Sequence, residues 1–347
     1  MKSFVPQYIE NISIPVDLSI LLNSCAKAQG KEQLWEKIKP EVLNVLRSQA
    51  IISSTESSNR IEGVEVKSER LKLLVEGESK PLDRPEEEVL GYKNALNWIH
   101  ENAVSVEINP DTIKKIHQLA QEGAISDAGA WKVKNNEIIE IHTDGNVTVR
   151  FVPPEPKDVS KLIQDLCFAY NEAINKKRLP ELLLVASFVF DFLCIHPFRD
   201  GNGRVSRLLT QLLLCQQGYN LGRYISIEKI IEDTKESYYQ TLKESSKSWH
   251  TSEHSLIPFW KYFVETLKVA YDRLEDKFGV EESFHGGKTQ LIRNAVLRQI
   301  GNFKLGDIIN QEPGISQNLI QKVLAKMRDE DLVELHGHGR GAYWKKK

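Results

Sequence analysis

Apolar side chains recur every three to four positions over most of the chain, which is the spacing of amphipathic helices. The first such stretch, residues 34–60, contains Pro40 as a kink or boundary and ends before Gly63, a residue type suited to the left-handed position after a helix. Further helices are predicted at residues 87–102, 110–122, 156–175, 182–195, 204–217, 234–247 and 256–278. The pattern therefore predicts a mainly α fold.

One β-hairpin interrupts the helical pattern. Residues 138–142 and 147–152 are rich in β-branched side chains, and they flank the sequence Thr-Asp-Gly-Asn at 143–146. Asp144-Gly145 between such runs is a strong hairpin signal. Two prolines follow the second run, so the sequence predicts a hairpin that ends there.

A separate module is predicted at the C-terminal end of the chain, after a boundary near residues 281–288 where Gly286 and Gly287 break the pattern. Helices are predicted at residues 289–300, 305–311 and 316–331, and two short apolar runs, 332–335 and 342–344, flank a glycine-rich turn. Three helices followed by a hairpin is the element order of a winged helix-turn-helix. We therefore expect a winged-helix domain at residues 286–347.

Composition and charge narrow the function classes. The chain has 347 residues, of which 41% are apolar and 27% charged, and its net charge is −2. These values indicate a globular protein of two or three domains, or of one large domain with an appendage, and they exclude a uniformly basic nucleic-acid coat or an acidic tail. From residue 286 onward there are 11 basic and 6 acidic residues, so this segment carries +5 while the rest carries −7. A local basic surface on the C-terminal module therefore remains compatible with the composition.

The cysteines and the length of the apolar stretches indicate the cellular compartment in which the protein is expected. Cys25, Cys167, Cys194 and Cys215 form no C-x-x-C pair, so a zinc ribbon or a disulfide framework is disfavoured and reduced thiols are expected. The longest apolar stretch, residues 182–195, is too short to cross a bilayer, and no apolar signal core follows the N-terminus. We expect a soluble, cytoplasmic protein with no membrane partner.

The chemistry is concentrated in the twelve residues HPFRDGNGRVSR, from His196 to Arg207. Gly201, Asn202 and Gly203 form a small-residue loop at a predicted helix N-terminus, where free N–H groups and the helix dipole favour an anion. Arg204 and Arg207 are three residues apart, so both project from one face of the first turn. Two guanidinium groups beside an anion site suit a polyphosphate.

Two further residues of this segment complete a reactive set. Asp200 offers a hard oxygen ligand beside the anion site, which suits Mg²⁺ bridging phosphates. His196 is able to take a proton from an attacking hydroxyl near neutral pH. The set predicts nucleotidyl or phosphoryl transfer, although the sequence matches neither the Walker A motif nor a Rossmann loop.

The segment resembles the signature of the Fic family, H-P-F-x-[D/E]-G-N-G-R-x-x-R, with every fixed position matched. The resemblance spans roughly residues 110–248, within a catalytic core expected at residues 106–280. It implies a Fic-type helical fold and transfer of AMP from ATP to a Ser, Thr or Tyr hydroxyl of a target protein, with Mg²⁺ or Mn²⁺ as cofactor. The predicted hairpin is similar to the family's flap, which aligns the hydroxyl-bearing segment of the target protein with the active site.

The resemblance also implies a role for each residue of the signature. These roles are general base for His196, metal ligand for Asp200, phosphate-binding loop for Gly201, Asn202 and Gly203, phosphate contacts for Arg204 and Arg207, and packing anchor for Phe198. Tyr238 and Tyr239 lie where the family often has nucleotide-pocket residues, and a core role is equally compatible with them.

A second family pattern lies upstream, in the N-terminal helical region expected at residues 1–105. Ser58 to Gly63, SNRIEG, resembles the inhibitory pattern [S/T]-x-x-x-E-[G/N]. Ser58 and Glu62 are one helical turn apart. A carboxylate from Glu62 on Arg207 would occupy the group that the ATP γ-phosphate needs, so the resemblance implies a self-inhibited enzyme.

Three alternatives stay open. Glu62 could orient a water, which would make the protein a hydrolase that removes AMP from modified targets. Some Fic-like proteins phosphorylate or use other nucleotides, although Gly203 argues against the kinase-like variant. In the third alternative the protein is a transcription regulator whose winged helix binds DNA while the core senses nucleotide. Winged helices also serve as modules for protein docking and dimerisation. Self-AMPylation and a homodimer are further options in the family. Candidate DNA contacts in the tail are Ser316, Gln317, Asn318, Gln321, Lys322 and Arg340.

Overall fold

The computed structural model describes residues 2–5, 8–9, 12–141, 147–279, 287–297, 299, 302–312, 314–337, 339 and 342–347. The chain divides into two compact units, Met1–Tyr271 and Asp272–Lys347. This division falls inside a long helix, whereas the boundary predicted near residues 281–288 lies largely outside the described residues.

The first unit is built of helices and one hairpin. Its elements in chain order are α1 (Val16–Ile38), α2 (Pro40–Ile61), α3 (Ser68–Glu76), α4 (Arg84–Asn102), α5 (Pro110–Ala120), β1 (Ile138–Ile141), β2 (Val147–Phe151), α6 (Pro156–Asn175), α7 (Glu181–Ile195), α8 (Asn202–Gln216), α9 (Ile227–Asp233), α10 (Lys235–Ser245) and the start of α11 (Ile257–Gly279).

The N-terminal helices differ from the sequence prediction. The predicted break at Pro40 is confirmed as a boundary, because α1 ends at Ile38 and Pro40 occupies the first turn of α2, where its missing N–H costs nothing. Most of α1 was not predicted, since its apolar residues do not form one stripe: Leu18 is fully buried whereas Ile20 is 61% exposed. The two short helices α3 and α9 were also missed.

The core of the first unit is formed around α7, almost all of whose side chains are buried. Its two buried polar residues are hydrogen-bonded to indoles from other segments. Ser187 accepts a hydrogen bond from the Trp260 indole at 3.0 Å, and Asp191 accepts one from the Trp249 indole at 2.6 Å. Burial raises the pKa of Asp191 to about 6. Helix α8 packs beside α7, so the segment that joins them is held between two core helices.

The hairpin β1–β2 is antiparallel, with Glu140 opposite Thr148 and an irregularity between Ile138 and Ile139. The Lys243 ammonium on α10 pairs with the Glu140 carboxylate at 2.7 Å and ties the hairpin to the helical body. The predicted turn at residues 143–146 lies outside the described residues.

The second unit, after the end of α11, contains α12 (Gly287–Leu297), α13 (Leu305–Gln311), α14 (Gln317–Asp329), β3 (Val333–His336) and β4 (Tyr343–Lys346). Strands β3 and β4 pair antiparallel with Leu335 opposite Trp344, and the three helices share an apolar core that includes Ile308, Leu324 and Met327. Arg340, proposed as a wing residue, lies outside the described residues. The winged-helix assignment stays a prediction.

Two smaller findings concern the described ranges. Every helix in them is too short or too polar to span a bilayer. The four cysteines are buried and form no disulfide.

Candidate active site

A cleft of about 900 Å³ opens on the first unit, and several of the candidate residues face it. It lies between the hairpin, the end of α7, the start of α8, the exposed face of α10 and Glu62, the first residue after α2. Four of the residues proposed from the sequence line it together with Tyr238 and Tyr239, namely Glu62, His196, Gly203 and Arg207. Residues 145 positions apart in the chain therefore share one cavity.

The imidazole of His196 lies at the C-terminal end of α7. The backbone of His196 is left-handed, with φ 50°, and its N–H donates to the Phe192 carbonyl at 3.0 Å. This conformation is uncommon for a residue with a side chain. When Nδ1 carries the ring proton it donates to the Leu193 carbonyl, 3.3 Å away, which leaves the Nε2 lone pair free to accept a proton. Burial lowers the pKa of His196 to about 4, so the ring is neutral at physiological pH.

The loop after His196 is fixed by Asn202. The Asn202 side-chain oxygen accepts from the Phe198 N–H at 2.9 Å, and its amide nitrogen donates to the Phe198 carbonyl at 2.8 Å. Asn202 is also the first residue of α8 and is 2% exposed. One side chain thus closes the loop between two helices and holds His196 at a fixed distance from the N-terminus of α8.

Three residues that the sequence analysis did not assign to the site support the same loop from behind. The Asn136 amide donates to the Phe198 carbonyl at 3.2 Å, and the Lys132 N–H donates to the Pro197 carbonyl at 2.8 Å. The His117 ring stacks on Phe198 with 3.7 Å between centroids. These contacts join residues more than 60 positions apart in the chain, so no local sequence pattern predicts them.

The protonation of His117 follows from its partners. The Gly129 N–H donates to Nδ1 at 2.8 Å, so the ring proton is on Nε2, which donates to the Asp200 carbonyl at 3.1 Å. Burial lowers the pKa of His117 to about 4, which keeps the ring neutral. His117 is therefore a positioning residue for the backbone of Asp200.

The N-terminus of α8 is tightly enclosed. Gly201 has φ +79°, and a Cβ there would lie 2.2 Å from the buried amide nitrogen of Gln121. A Cβ on Gly203 would lie 2.2 Å from a carboxylate oxygen of Glu62. Gly201 is therefore favoured by its conformation and by the space around it, whereas a side chain at Gly203 would require the Glu62 carboxylate to shift.

Arg207 is buried and held by α2. Its Nε donates to the Ser58 hydroxyl at 2.8 Å, and its Nη2 donates to the Ser58 carbonyl and to Glu62 Oε1, each at 2.8 Å. Burial opposes the charge on this guanidinium, yet the neighbouring Glu62 carboxylate holds the pKa of Arg207 above its ordinary value. The structure thus brings Ser58 and Glu62 onto Arg207, the arrangement expected from the inhibitory pattern, whereas its effect on activity stays a prediction.

Residues of α9 and α10 hold the same end of α2. The Lys235 ammonium donates to the Ile61 carbonyl at 2.7 Å, and Glu232 pairs with Arg60 at 3.0 Å. A cation at the C-terminal end of a helix is favourable, because the last carbonyls carry partial negative charge. Glu62 is therefore presented to the cleft by an anchored helix end.

Arg204 does not line the cleft but belongs to a network of charges beside it. It is 2% exposed, pairs with Glu88 of α4 and lies 3.8 Å from Asp200. The Arg84 guanidinium, also on α4, donates to Asp200 at 3.1 Å and to Glu88 at 2.7 Å. Asp200, Arg84, Glu88 and Arg204 thus form a closed ring of alternating charge at the N-terminus of α8.

The two tyrosines proposed for the nucleotide pocket differ in position. Tyr238 is 5% exposed, and its ring lies 5.3 Å from that of Tyr239. Tyr239 carries two cations near its ring, with Arg150 at 5.8 Å and Lys235 at 5.9 Å. Tyr239 therefore offers an aromatic surface beside two cations that line the cleft, and the buried ring of Tyr238 lies next to it.

Asp200 is suited to a divalent cation only in partnership with a ligand. Its side chain is 42% exposed, and within the described residues no group of three or more His, Cys, Asp or Glu could hold a metal by itself. Mg²⁺ is commonly bound through one carboxylate plus substrate phosphates and water. The donor set therefore fits Mg²⁺ or Mn²⁺ entering with a nucleotide.

Comparison with known proteins bears on this geometry. Residues 107–214 match the sequence profile of the Fic/DOC family. The protein adenylyltransferase Fic of Nematostella vectensis is 30% identical over 139 residues, which are 38% of this chain and 29% of that protein. The protein of the same name from Drosophila erecta is 26% identical over 189 residues, 53% of this chain and 33% of that protein.

A protein of another name also matches. The ribonucleoside-diphosphate reductase small chain of Ostreid herpesvirus 1 is 29% identical over 150 residues, 41% of this chain and 25% of that protein. The matched regions thus span a quarter to a third of the length of these three curated relatives.

Solved structures share the fold. A Fic family protein from Desulfovibrio desulfuricans G20 superposes with a TM-score of 0.63 at 20% identity, over 97% of each chain. A Fic domain containing signaling protein from Bacteroides thetaiotaomicron superposes with a TM-score of 0.61 at 22% identity, over 72% of this chain and 95% of that one. The segment that matches the Fic/DOC profile, residues 107–214, includes His196, Asp200 and Arg207.

Proposed function

We propose that the protein is an adenylyltransferase that moves AMP from ATP to a hydroxyl group of a target protein. The observation that carries the proposal is the shared cleft, in which a neutral His196, the N-terminus of α8 and the buried Arg207 face one space. A base, an anion site and a fixed positive charge are the groups that nucleotidyl transfer needs. Relatives named protein adenylyltransferase support the same reaction class.

The step proposed is an in-line displacement at the α-phosphorus. The target hydroxyl oxygen attacks the α-phosphorus, and its proton passes to Nε2 of His196. The bond between the α-phosphorus and the bridging oxygen breaks, and pyrophosphate leaves. The free N–H groups at the start of α8 and the Arg207 guanidinium would stabilise the charge on the phosphates. His196 then returns its proton to solvent.

Asp200 would hold the divalent cation, which neutralises charge on the phosphates when bound. Tyr239, beside the two cations that line the cleft, would contact the nucleotide, and the hairpin at one side of the same cleft would bind the target segment by strand addition. These assignments extend the sequence interpretation to the observed cavity.

The resting state would be inhibited by Glu62. Its carboxylate accepts from Arg207 at 2.8 Å and lies against Gly203, so it fills space beside the anion site and neutralises a phosphate ligand. ATP would then bind with its α-phosphate misaligned for attack.

The deciding experiment uses ATP labelled at the α-phosphate and, in parallel, at the γ-phosphate, with cell lysate as the source of targets. Wild type, Glu62→Gly and the double variant Glu62→Gly/His196→Ala are compared. Label transferred only from α-labelled ATP, strongest with Glu62→Gly and absent from the double variant, supports AMP transfer. Transfer of γ-label would instead identify a kinase, and no transfer of either label would refute the proposal.

Removal of AMP is a second candidate reaction, favoured by one specific observation. Glu62 and His196 line the same cleft, so the carboxylate is placed where it would orient a water rather than only block Arg207. A target already carrying labelled AMP distinguishes the two. Loss of label with wild type, abolished by Glu62→Gly, would favour the hydrolase.

The C-terminal unit is proposed to select the target or to bind DNA as a winged helix. Its order of three helices and an antiparallel hairpin supports that fold. A shift assay with duplex DNA at two salt concentrations separates the roles, because phosphate contacts weaken steeply with salt.

A further inference from the structure

A salt bridge occupies the carboxylate that the proposed function assigns to the metal. Asp200 Oδ2 accepts from Arg84 Nη2 at 3.1 Å, and Oδ1 accepts from the Gly201 N–H at 2.6 Å. Both oxygens therefore have donors, and the positive charge of Arg84 beside Oδ2 opposes the approach of a cation to that oxygen.

We propose that Arg84 competes with the divalent cation for Asp200, so that loading of the metal requires Arg84 to leave the carboxylate. Arg84 would be a positioning residue that sets the metal dependence of nucleotide binding. The inference rests on the proposed function, because it takes Asp200 as the metal ligand.

The second hydrogen bond of Arg84, to Glu88, lowers the free-energy cost of leaving Asp200. Its Nε donates to Glu88 at 2.7 Å, and Glu88 also pairs with the buried Arg204. When the Nη2 contact to Asp200 breaks, the guanidinium keeps its bond to Glu88 and does not become an unpaired charge. Glu88, in turn, stays 4% exposed and fixed on α4.

The two contacts of Arg84 differ in strength, because one partner is exposed to solvent and the other is buried. The Arg84 and Asp200 side chains are 57% and 42% exposed, whereas the Glu88 side chain is 5% exposed. Ion pairs between exposed groups are weak, and a divalent cation bridging a carboxylate and phosphates interacts more strongly. The Arg84 contact to Asp200 is thus the one that yields, while the contact to Glu88 persists.

The position of Arg84 is fixed by the start of α4. Asp83 caps this helix by accepting from the Glu86 N–H at 3.0 Å, and Arg84 is the first helical residue. The cap fixes the backbone of Arg84, and the Nε contact to Glu88 keeps the guanidinium near Asp200. Arg204, at 3.8 Å from Asp200, stays buried throughout and does not compete in the same way.

The test measures ATP affinity by calorimetry with Mg²⁺ and with chelator. The quantity compared is the ratio of the Kd with chelator to the Kd with Mg²⁺, which rises when Mg²⁺ strengthens ATP binding. The variants are Arg84→Gln, Asp200→Asn and the double variant, all in full-length protein, with Arg199→Gln as the matched control. Arg199 is a neighbouring exposed arginine that pairs with Asp127 instead, at 2.6 Å. Circular dichroism checks that each variant is folded.

We expect Arg84→Gln to raise this ratio about two- to fivefold, the range for one exposed ion pair, and Arg199→Gln to leave it unchanged. The increase should vanish in the Asp200→Asn background, since the two residues act through one contact. An unchanged ratio in Arg84→Gln, or weaker ATP binding with Mg²⁺, would overturn the proposal, the latter by making Arg84 a phosphate ligand.

Failure of the underlying function gives a different result. If Asp200→Asn retains the full Mg²⁺ effect on ATP binding, the metal assignment of Asp200 is wrong whatever Arg84 does. If Asp200→Asn loses the effect and Arg84→Gln matches wild type, only the competition is wrong.

Discussion

Replacing Glu62 by glycine removes the carboxylate that accepts from Arg207 at 2.8 Å and opens the space against Gly203. Glu62 follows the last residue of α2 with φ −87°, a conformation that glycine adopts without strain, so the helix end is retained. Lys235 and Glu232 continue to hold this end of α2. The expected change is therefore local to the cleft.

The size of the effect follows from the contact that is lost. A hydrogen bond to a charged group contributes about 1.5–3 kcal/mol. The Glu62 side chain is 31% exposed, which argues for the lower part of that range. Because every 1.4 kcal/mol is about a factor of ten, AMP transfer should rise by about one order of magnitude or more. Arg207 keeps both contacts to Ser58, so its position is maintained while one N–H of Nη2 becomes available to phosphate.

The assay follows incorporation of α-labelled ATP into lysate proteins and into the enzyme itself over time. Glu65→Gly is the matched control, since it removes an exposed glutamate three residues away that does not contact Arg207. Equal rates for wild type and Glu62→Gly would refute the inhibitory interpretation. Equal stimulation by Glu65→Gly would show that loosening the chain after α2, rather than freeing Arg207, causes the gain.

The remaining predictions concern the base, its loop and the tail. His196→Ala should reduce transfer about 10²–10⁴-fold while calorimetric ATP affinity stays within about twofold, because the base acts on the target hydroxyl. Since the pKa of His196 is lowered to about 4, the base is already neutral at pH 6. The transfer rate should then be level from about pH 6 to 8 and fall only as the pH approaches 4, whereas a midpoint near 6.5 would contradict the buried environment. Asn202→Ala should lower the free energy of unfolding by about 1–3 kcal/mol in urea titrations, because the buried Phe198 N–H loses its acceptor. Deleting residues 286–347 should leave self-modification of the Glu62→Gly protein intact but change which lysate proteins are labelled, and loss of all activity from a folded core would make the tail part of the catalytic unit.

The parts of the fold that the sequence predicts best are those with one clear period or a long apolar run. Helices α5 and α6 carry their apolar residues toward one core, α7 is an apolar run of helical length, and the hairpin strands are β-branched runs on both sides of an Asp-Gly pair. Helix α1 is apolar on several sides, and α3 and α9 are too short to repeat a pattern, so these three were missed.

The candidate site divides along the same physical line. The segment from His196 to Arg207 is contiguous, so its chemistry is readable from residue types and spacing. The supporting contacts from Lys132, Asn136 and His117, and the charge ring through Arg84 and Glu88, depend on which helices pack together. Such long-range pairings leave no periodic trace in a single sequence.

The near contact between Gly203 and Glu62 has a consequence for sequence variation. A Cβ at position 203 and a glutamate at position 62 would compete for one volume, with 2.2 Å between the Cβ and the carboxylate oxygen. The identity of one position therefore constrains the other: a sequence that gains a side chain at 203 must either shorten the residue at 62 or move its carboxylate. Because the two positions lie in separate segments that folding brings together, we expect their identities to covary among descendants of this chain, and glycine at 203 leaves the observed contact between Glu62 and Arg207 in place.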